Sequence, residues 1–263
     1  MTRRRQGEVG SNRRKYRSPA ADGAPVIGGR RAVLEAIRSG RASRVLTVAG
    51  LHATEGMREL LEESARSGLE IETTDQESLN TLGVSDNQGV AAVVRPPHEL
   101  EERDVRAGSF PPDSVVVMLD GITDPQNFGA SVRAAEAAGA EMLIVRKRRS
   151  APLSPAAIRA SAGALFHLPV ARVANLARTI DHLKERGFFV VGLDHEAPTT
   201  IHEADPPSRP LLLVLVAEDV GLSRLVRESC DLLVAIPMVG QMGSLNAAAA
   251  LAVGLFGYAL RPR

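Results

Sequence analysis

The sequence predicts an α/β protein in which a small α/β unit precedes a larger one built on a parallel sheet. Three observations predict this class. Strand-like apolar runs alternate with helical patterns from residue 26 to residue 260. Runs such as Leu211–Val216 lack polar alternation, as do strands buried on both faces of a parallel sheet. Proline pairs at 96–97 and 111–112 divide the pattern into two blocks, and 263 residues suffice for two domains.

The first block, residues 25–97, is predicted to form a compact unit of helices and strands. Val33, Leu34 and Ile37 fit one face of a helix, and Gly68 can close a second helix. The remaining predicted elements are the strands Val45–Val48 and Leu69–Ile71, the helix Glu55–Arg66, a short helix from the N-cap Asp75 to Leu82, and the apolar run Gly89–Val94. Residues 98–112 are charged and end in a proline pair, which predicts a linker.

The second block, residues 113–263, is predicted to alternate five strands with helices. The strands are Val115–Leu119, Met142–Val145, Phe188–Leu193, Leu211–Val216 and Leu232–Ile236. The helices lie around Phe128–Ala138, Pro155–Ala162, Ala174–Arg186, Leu222–Ser229 and Ser244–Tyr258. The last helix is apolar nearly all round, which predicts burial in the core or in a subunit interface.

Composition excludes several classes of protein. Hydrophobic residues make up 44% and charged residues 24%, as in an ordinary globular protein. No apolar run is long enough to cross a bilayer, so no membrane association is expected. Cys230 is the single cysteine, so neither an internal disulfide nor a zinc site is expected. We expect the protein to occupy a reducing, cytoplasmic compartment.

The charge is concentrated at the amino terminus. Residues 1–24 carry seven arginines and lysines against two acidic residues, whereas the whole chain has a net charge of only +1. With almost no apolar side chains, this basic tail is predicted to be disordered. Two interpretations stay open: an arm that contacts RNA, or a tail that keeps the protein in solution.

Common nucleotide and hydrolase motifs are missing from the sequence. No G-x-G-x-x-G follows a predicted strand, and neither a phosphate-binding G-x-x-x-x-G-K-[ST] nor a G-x-S-x-G nucleophile turn occurs. His195 and His202 lie among acidic residues but lack the spacing of metal ligands, so a solvated loop is expected there. Redox, hydrolytic and NTP chemistry are therefore disfavoured.

Three loops follow strands of the second block, where ligands of α/β proteins usually bind. In the first, Asn127 lies near the start of a helix that also carries Arg133, a forked donor for phosphate. A plainer interpretation is that Asp124 or Asn127 caps this helix and Arg133 pairs with Glu136.

The second loop contains Glu218 directly after a buried strand, which is either a positioning group or an exposed carboxylate. The third loop follows the strand that ends at Ile236, and its glycines allow close backbone approach. Ser244 is expected to cap the last helix. Taken one at a time, none of the three loops identifies a chemistry.

In this order and spacing, the loops resemble the motifs of the SpoU (TrmH-like) family within the SPOUT methyltransferases. The family's first motif has an asparagine and a downstream arginine, here Asn127 and Arg133. Its second has a glutamate, here Glu218, followed by a strand and I-P-M at 236–238. Its third is S-L-N before an alanine-rich helix, here residues 244–246. The match covers essentially all of residues 113–260.

Two further stretches resemble family members that act on rRNA. Residues 26–94 look like the RNA substrate-binding domain of many members, and residues 147–179 look like the bacterial 23S rRNA guanosine 2′-O-methyltransferase (RlmB) subgroup. The resemblance implies methylation of a ribose 2′-hydroxyl in 23S rRNA by S-adenosylmethionine, at a guanosine of the peptidyl-transferase region. A tRNA-directed enzyme, an antibiotic-resistance rRNA methyltransferase and a non-catalytic ribosome-assembly factor stay open as alternatives.

The resemblance also implies a C-terminal trefoil knot and a homodimer formed through the C-terminal domain. The catalytic residues that it implies are Asn127, Arg133, Glu218, Ser244 and Asn246. The site for S-adenosylmethionine would involve Val216, Gly221, Ile236, Met238, Ser244 and Leu245. An arginine stays protonated in proteins, so Arg133 is expected to grip phosphate and stabilise the forming alkoxide instead of acting as a base.

One loop departs from the family pattern. Val216 and Asp219 stand where the family usually has glycine. Valine adds bulk and restricts the backbone, and Asp219 adds a negative charge beside Glu218. We therefore expect weakened cofactor binding or a different loop arrangement. The intact residues Arg133 and Asn246 favour an active enzyme.

Overall fold

The computed structural model describes residues 24–51, 54–84, 86–205, 210–216, 223–241 and 243–260. It confirms the predicted α/β class, with a small mixed sheet followed by a larger parallel one. Residues 1–23 of the predicted basic tail lie outside the described residues. No helix in the described ranges is long and apolar enough to cross a membrane.

The first unit is a four-stranded sheet in the order β1-β4-β2-β3. Its strands are β1 (Val26–Gly28), β2 (Ala42–Val48), β3 (Ile71–Thr74) and β4 (Val90–Val94). Strand β4 runs antiparallel to β1 and β2, whereas β2 and β3 are parallel. The helices are α1 (Arg30–Arg38), α2 (Glu55–Arg66) and α3 (Gln76–Asn80). Asp75 caps α3 as predicted, because its carboxylate accepts the N–H of Ser78 at 2.7 Å.

The second unit is a seven-stranded sheet whose pairings are all parallel. Its strands are β5 (Glu99–Glu101), β6 (Val115–Asp120), β7 (Met142–Arg146), β8 (Val170–Val173), β9 (Phe189–Leu193), β10 (Leu211–Val216) and β11 (Leu232–Val234). The order across the sheet is β11-β9-β10-β6-β7-β8-β5. Strand β6 is buried along its whole length, as its unbroken apolar sequence predicts.

Helices cover both faces of this sheet. They are α4 (Glu102–Ala107), α5 (Pro125–Ala137), α6 (Pro155–Ala160), α7 (Leu176–Glu185), α8 (Arg224–Ser229) and α9 (Ala247–Gly254), which continues as a π-helical turn over Leu255–Ala259. Successive residues of a strand point to opposite faces. Val117 therefore packs with α5, α6 and α9, whereas Val116 packs with α4, α7 and α8.

The predicted linker contains regular structure. Strand β5 pairs with β8, and α4 begins with a reciprocal capping arrangement between Glu101 and Asp104. The charged composition hides this strand because β5 lies at the edge of the sheet, where polar side chains remain in solvent. Within residues 98–112, strand β5 thus extends the larger sheet and α4 packs against it.

Helices α5 and α6 approach closely at Gly129. A β-carbon at this position would lie 2.5 Å from Cβ of Ala160 and 2.7 Å from the carbonyl oxygen of Ala157. Both distances are far below van der Waals contact, so only glycine allows this packing. Gly129 therefore fixes α5, the helix that carries Asn127 and Arg133, against its neighbour.

The two units meet at a seam between α1 and the turn at residues 161–167. Gly163 has φ +92°, and a β-carbon there would lie 2.5 Å from Cβ of Glu35. Beside it, Nε2 of His167 lies 3.0 Å from Oε2 of Glu35. One buried apolar cluster contains both Ile27 of the first unit and Leu165 of the second. The two units therefore share a hydrophobic core across this seam.

Candidate functional site

The loops singled out from the sequence leave the same edge of the larger sheet. Strands β6 and β10 are neighbours, and Asp120 and Val216 are register partners at their carboxyl ends. Strand β11, which leads to Ile236, is separated from β10 by β9. The carboxyl edge of a parallel sheet is where α/β proteins bind ligands.

The structure joins the first and third loops by a direct hydrogen bond. Nδ2 of Asn246 donates to Oδ1 of Asn127 at 2.5 Å, across 119 positions of sequence. Asn127 is available for this contact because Asp124 caps α5, accepting the N–H of Asn127 at 2.8 Å. The plainer interpretation was therefore right for Asp124 as the cap and wrong for Asn127.

Asn246 also determines where the last helix begins. Its Oδ1 accepts the N–H groups of Ala248 at 2.9 Å and Ala249 at 3.3 Å, so α9 begins at Ala247. The expectation that Ser244 caps this helix is wrong, and Ser244 is exposed two residues before the cap. With its oxygen engaged by the helix, the Asn246 amide points its nitrogen at Asn127.

Arg133 lies on α5 but not beside the asparagine pair. Six residues correspond to about 600° of helix rotation, which places Arg133 roughly 120° around the helix from Asn127. Arg133 is exposed and lines a groove along the seam together with Arg31, Arg38 and His167. Among the described residues it forms no ion pair, so the predicted alternative of pairing with Glu136 is not observed.

The predicted cofactor residues that the structure describes are all at least partly exposed. Val216, Ile236 and Leu245 are partly exposed, and Met238 is 38% exposed. Val216 is not among the residues with positive φ, so its backbone does not require the freedom of the family's glycine. Glu218, Asp219 and Gly221 lie outside the described residues.

Two arginine clamps at this edge were missed by sequence reasoning. Arg146, the last residue of β7, donates from Nε at 2.7 Å and Nη2 at 3.1 Å to the buried carboxylate of Asp120. These hydrogen bonds raise the pKa of Arg146 above its usual value. Arg172 of β8 donates to Oγ of Ser150 at 2.7 Å and to the carbonyl of Ala151 at 2.9 Å. The only sequence signal for these contacts is the presence of charged residues, Asp120 and Arg146, at the ends of apolar strands.

The loop of His195 is less solvated than expected. Asp194 is buried, and its Oδ2 lies 3.2 Å from Nη1 of Arg227, while His195 is exposed. Within the described ranges, no three His, Cys, Asp or Glu side chains form a group that could hold a metal ion. Asp194 therefore has a structural ion-pair partner.

Comparison with family models gives two matches. The model described as the SpoU rRNA Methylase family matches residues 114–256, and the one described as RNA 2′-O ribose methyltransferase substrate binding matches residues 26–100. A Staphylococcus haemolyticus protein named as a TrmH family tRNA/rRNA methyltransferase is 38% identical, over 88% of this chain and 93% of its own length. A Mycobacterium avium protein named as a tRNA/rRNA methyltransferase is 41% identical, over 86% and 74%.

Solved structures show the same architecture. The SpoU methyltransferase AviRb from Streptomyces viridochromogenes, in complex with AdoMet, superposes with a TM-score of 0.70 at 30% identity, covering 92% of each chain. A structure titled RNA 2′-O ribose methyltransferase gives a TM-score of 0.73 at 28% identity, covering 88% of this chain and 86% of the other.

Proposed function

Because the chain belongs to the SpoU (TrmH) family of RNA methyltransferases, we propose that it methylates the 2′-hydroxyl of a guanosine ribose in the peptidyl-transferase region of 23S rRNA. It is an S-adenosylmethionine-dependent tRNA/rRNA methyltransferase. The observation that carries the proposed 2′-O-methyl transfer is the hydrogen bond from Asn246 to Asn127, which joins two of the family's three motifs. The resemblance of residues 147–179 to the 23S rRNA subgroup supports the choice of target.

The residues at the sheet edge fit a cofactor that has both apolar and charged parts. Val216, Ile236 and Leu245 offer half-buried apolar surface, and the exposed Ser244 and Asn246 flank Leu245 in the sequence. Gly240 and Gly243 border open space, since a β-carbon at either would meet no atom within 4 Å. When bound, S-adenosylmethionine supplies an activated methyl group on a sulfonium centre. The trefoil knot expected in this region stays a prediction.

Calorimetric titration of S-adenosylmethionine tests this part of the proposal. If the bulk of Val216 narrows the site, Val216→Gly should bind the cofactor more tightly than the wild type does. Equal affinities would show that this departure from the family has no consequence for binding. A wild-type chain that binds no cofactor, with or without RNA, would contradict the proposed reaction.

The side chains of the site would orient the ribose and stabilise charge. A neutral 2′-hydroxyl is a poor nucleophile, so its orientation and the stabilisation of the forming alkoxide contribute most of the catalysis. We assign the orienting role to Asn127 and Asn246. Arg133 lies roughly 120° further around α5, and we assign to its long side chain the stabilising role that the family resemblance implies. The positive charge of Arg133 is available for a phosphate, because no carboxylate among the described residues pairs with it.

Variants of the asparagine pair separate this role from helix capping. Asn246→Ala should lose about 1 kcal/mol of unfolding free energy, whereas Asn246→Ser keeps a capping oxygen and should stay near the wild type. Both should lose methyl transfer by roughly tenfold or more, because neither reaches Asn127. Asn127→Ala leaves the cap intact and should show the same loss. The double variant Asn127→Ala/Asn246→Ser should transfer methyl groups no more slowly than either single variant, since all three remove the same contact. Additive losses would contradict a shared role.

We also propose a homodimer formed through the C-terminal part of the chain. The exposed large apolar side chains of the described residues all lie in this part: Leu225, Met238, Val239, Phe256 and Leu260. Apolar surface concentrated in this way is typical of an interface. Helix α9 fits this role because it is apolar on all sides but only partly buried.

Phe256 provides the test of the dimer. Its side chain is 52% exposed, so Phe256→Glu should fold normally but bury a charge in the interface. Sedimentation should give about twice 28.0 kDa for the wild type and close to 28.0 kDa for the variant. A monomeric wild type at micromolar concentration would contradict the proposal.

The RNA target is tested by mapping 2′-O-methylation in total RNA from strains with and without the gene. In the strain without the gene, we expect one guanosine of 23S rRNA to lose its 2′-O-methyl group and the methylation of tRNA to be unchanged. A lost tRNA methylation would favour the tRNA alternative, and a lost rRNA methylation accompanied by drug sensitivity would favour a resistance enzyme. Unchanged methylation with altered ribosome assembly would favour a non-catalytic factor.

A further inference from the structure

Three consecutive cations, Lys147, Arg148 and Arg149, follow β7 and are all exposed. We call residues 147–149 the basic loop. Among the described residues, none of the three forms an ion pair or a side-chain hydrogen bond. Two nearby arginines are compensated by carboxylates: Arg146 pairs with Asp120, and Arg172 of β8 lies 3.3 Å from Glu99. The basic loop thus presents three uncompensated positive charges together.

The loop is held rigidly at both ends. The N–H of Lys147 donates to the carbonyl of Val173 at 2.8 Å, and Oγ of Ser150 donates to the carbonyl of Arg146 at 2.6 Å. Arg172 fixes the far end through Ser150 and Ala151. Arg149 has φ +61°, a left-handed conformation that is uncommon outside glycine. Such conformations persist where surrounding contacts impose them, and they occur often at functional sites.

The basic loop lies beside the asparagine pair's own loop. The N–H of Ala151 donates to the carbonyl of Ile122 at 3.0 Å, and Ile122 precedes the α5 cap by two residues. At the start of both loops, the bidentate contact between Arg146 and Asp120 connects the ends of β7 and β6. The cations are therefore anchored to the edge at which the ribose is expected to bind.

We propose that the basic loop binds backbone phosphates of the RNA and thereby positions the target ribose at the asparagine pair. The inference rests on the proposed function, which supplies RNA as the partner. Adjacent lysine and arginine side chains suit a row of phosphates, with arginine offering a forked donor set to each. Aromatic residues make up only 3% of the chain, so charge and not base stacking would supply the affinity. Recognition by this loop is then independent of base identity.

The test compares two triple variants with equal loss of charge. The first is Lys147→Gln/Arg148→Gln/Arg149→Asn, in which asparagine is chosen because it tolerates a left-handed backbone. The control is Arg103→Gln/Arg106→Gln/Arg178→Gln, which removes three exposed arginines from α4 and α7, outside the substrate-binding unit. Binding of a labelled transcript of the 23S rRNA peptidyl-transferase region is measured over a series of KCl concentrations.

We expect the basic-loop variant to reduce the slope of log K against log salt by about 2, since each phosphate contact contributes about 0.7 on single-stranded RNA. Its affinity should fall roughly tenfold or more, and that of the control should stay near the wild-type value. Thermal unfolding and calorimetric affinity for S-adenosylmethionine should not change in either variant. An unchanged slope, or an equal loss in the control, would overturn the proposal.

The readouts separate this inference from the proposed function. A wild type that binds RNA through the loop but never methylates it would refute the function and leave the loop assignment standing. A wild type that methylates 23S rRNA, with an unchanged slope in the basic-loop variant, would refute the loop assignment alone. A dimer that dissociates only in that variant would assign the loop to subunit contact and overturn it.

Discussion

Arg133→Ala should slow methyl transfer by about 100-fold or more while the protein stays folded and binds S-adenosylmethionine with unchanged affinity. The side chain is exposed within α5 and forms no ion pair in the described structure, and alanine favours helices. The unfolding free energy should therefore change by no more than about 0.5 kcal/mol. Loss of a group that stabilises the forming alkoxide and grips the neighbouring phosphate should lower the rate by roughly 10²–10³-fold or more.

The control variants for Arg133 test charge and location. Arg133→Lys keeps the charge but not the forked geometry, so it should recover only part of the lost rate. Glu136→Gln, one turn further along the exposed side of α5, should be close to the wild type. Single-turnover transfer of a labelled methyl group to RNA measures the rate, with circular dichroism and calorimetry as checks. Near-normal turnover of Arg133→Ala would refute the role assigned to Arg133.

Gly129→Val should destabilise the protein by about 3 kcal/mol or more. The first added carbon would already lie 2.5 Å from Cβ of Ala160 and 2.8 Å from the backbone nitrogen of Ser161. A backbone cannot yield as a flexible side chain does, so α5 and α6 must separate. Because α5 carries both Asn127 and Arg133, activity should also fall in whatever fraction still folds.

Gly139 provides a matched control for this effect. It follows the same helix at φ +72°, but a β-carbon there would meet no atom within 4 Å. Gly139→Ala should therefore cost only the backbone penalty of about 1–2 kcal/mol. Urea unfolding of both variants separates steric conflict from strain. If Gly129→Val unfolded at the wild-type urea concentration, the close packing of α5 on α6 would be refuted.

The long buried strands β6 and β10 could be predicted from sequence, whereas the short strands β1, β5 and β8 could not. Strands β6 and β10 are unbroken apolar runs because both of their faces are buried. Strand β5, with the sequence Glu-Leu-Glu, has no such pattern and depends on its pairing with β8. Strand β1 has only three residues and depends on β4. Such strands are set by tertiary contacts, which local patterns do not encode.

The candidate site was predicted as a set of residues but not as an arrangement. The motifs identified Asn127 and Asn246, yet the bond between them crosses 119 positions and follows only from the fold. Ser244 was expected to cap the last helix because serine is a good cap, but asparagine is equally good, and Asn246 is the residue that caps it. Arg133 belongs to the same motif and helix as Asn127, but six residues of helix turn the two side chains apart.

The seam at Gly163 and Glu35 holds the two units of the chain at a fixed spacing. Because the two units share buried apolar contacts there, the distance from the four-stranded sheet to the asparagine pair is fixed. An RNA that binds both units at once gains affinity only if the segment bound by the first unit and the target nucleotide are separated by that distance, as in bivalent binding. Unfolded transcripts that contain the correct nucleotide would then be poor substrates, and the spacing within folded RNA would choose the target.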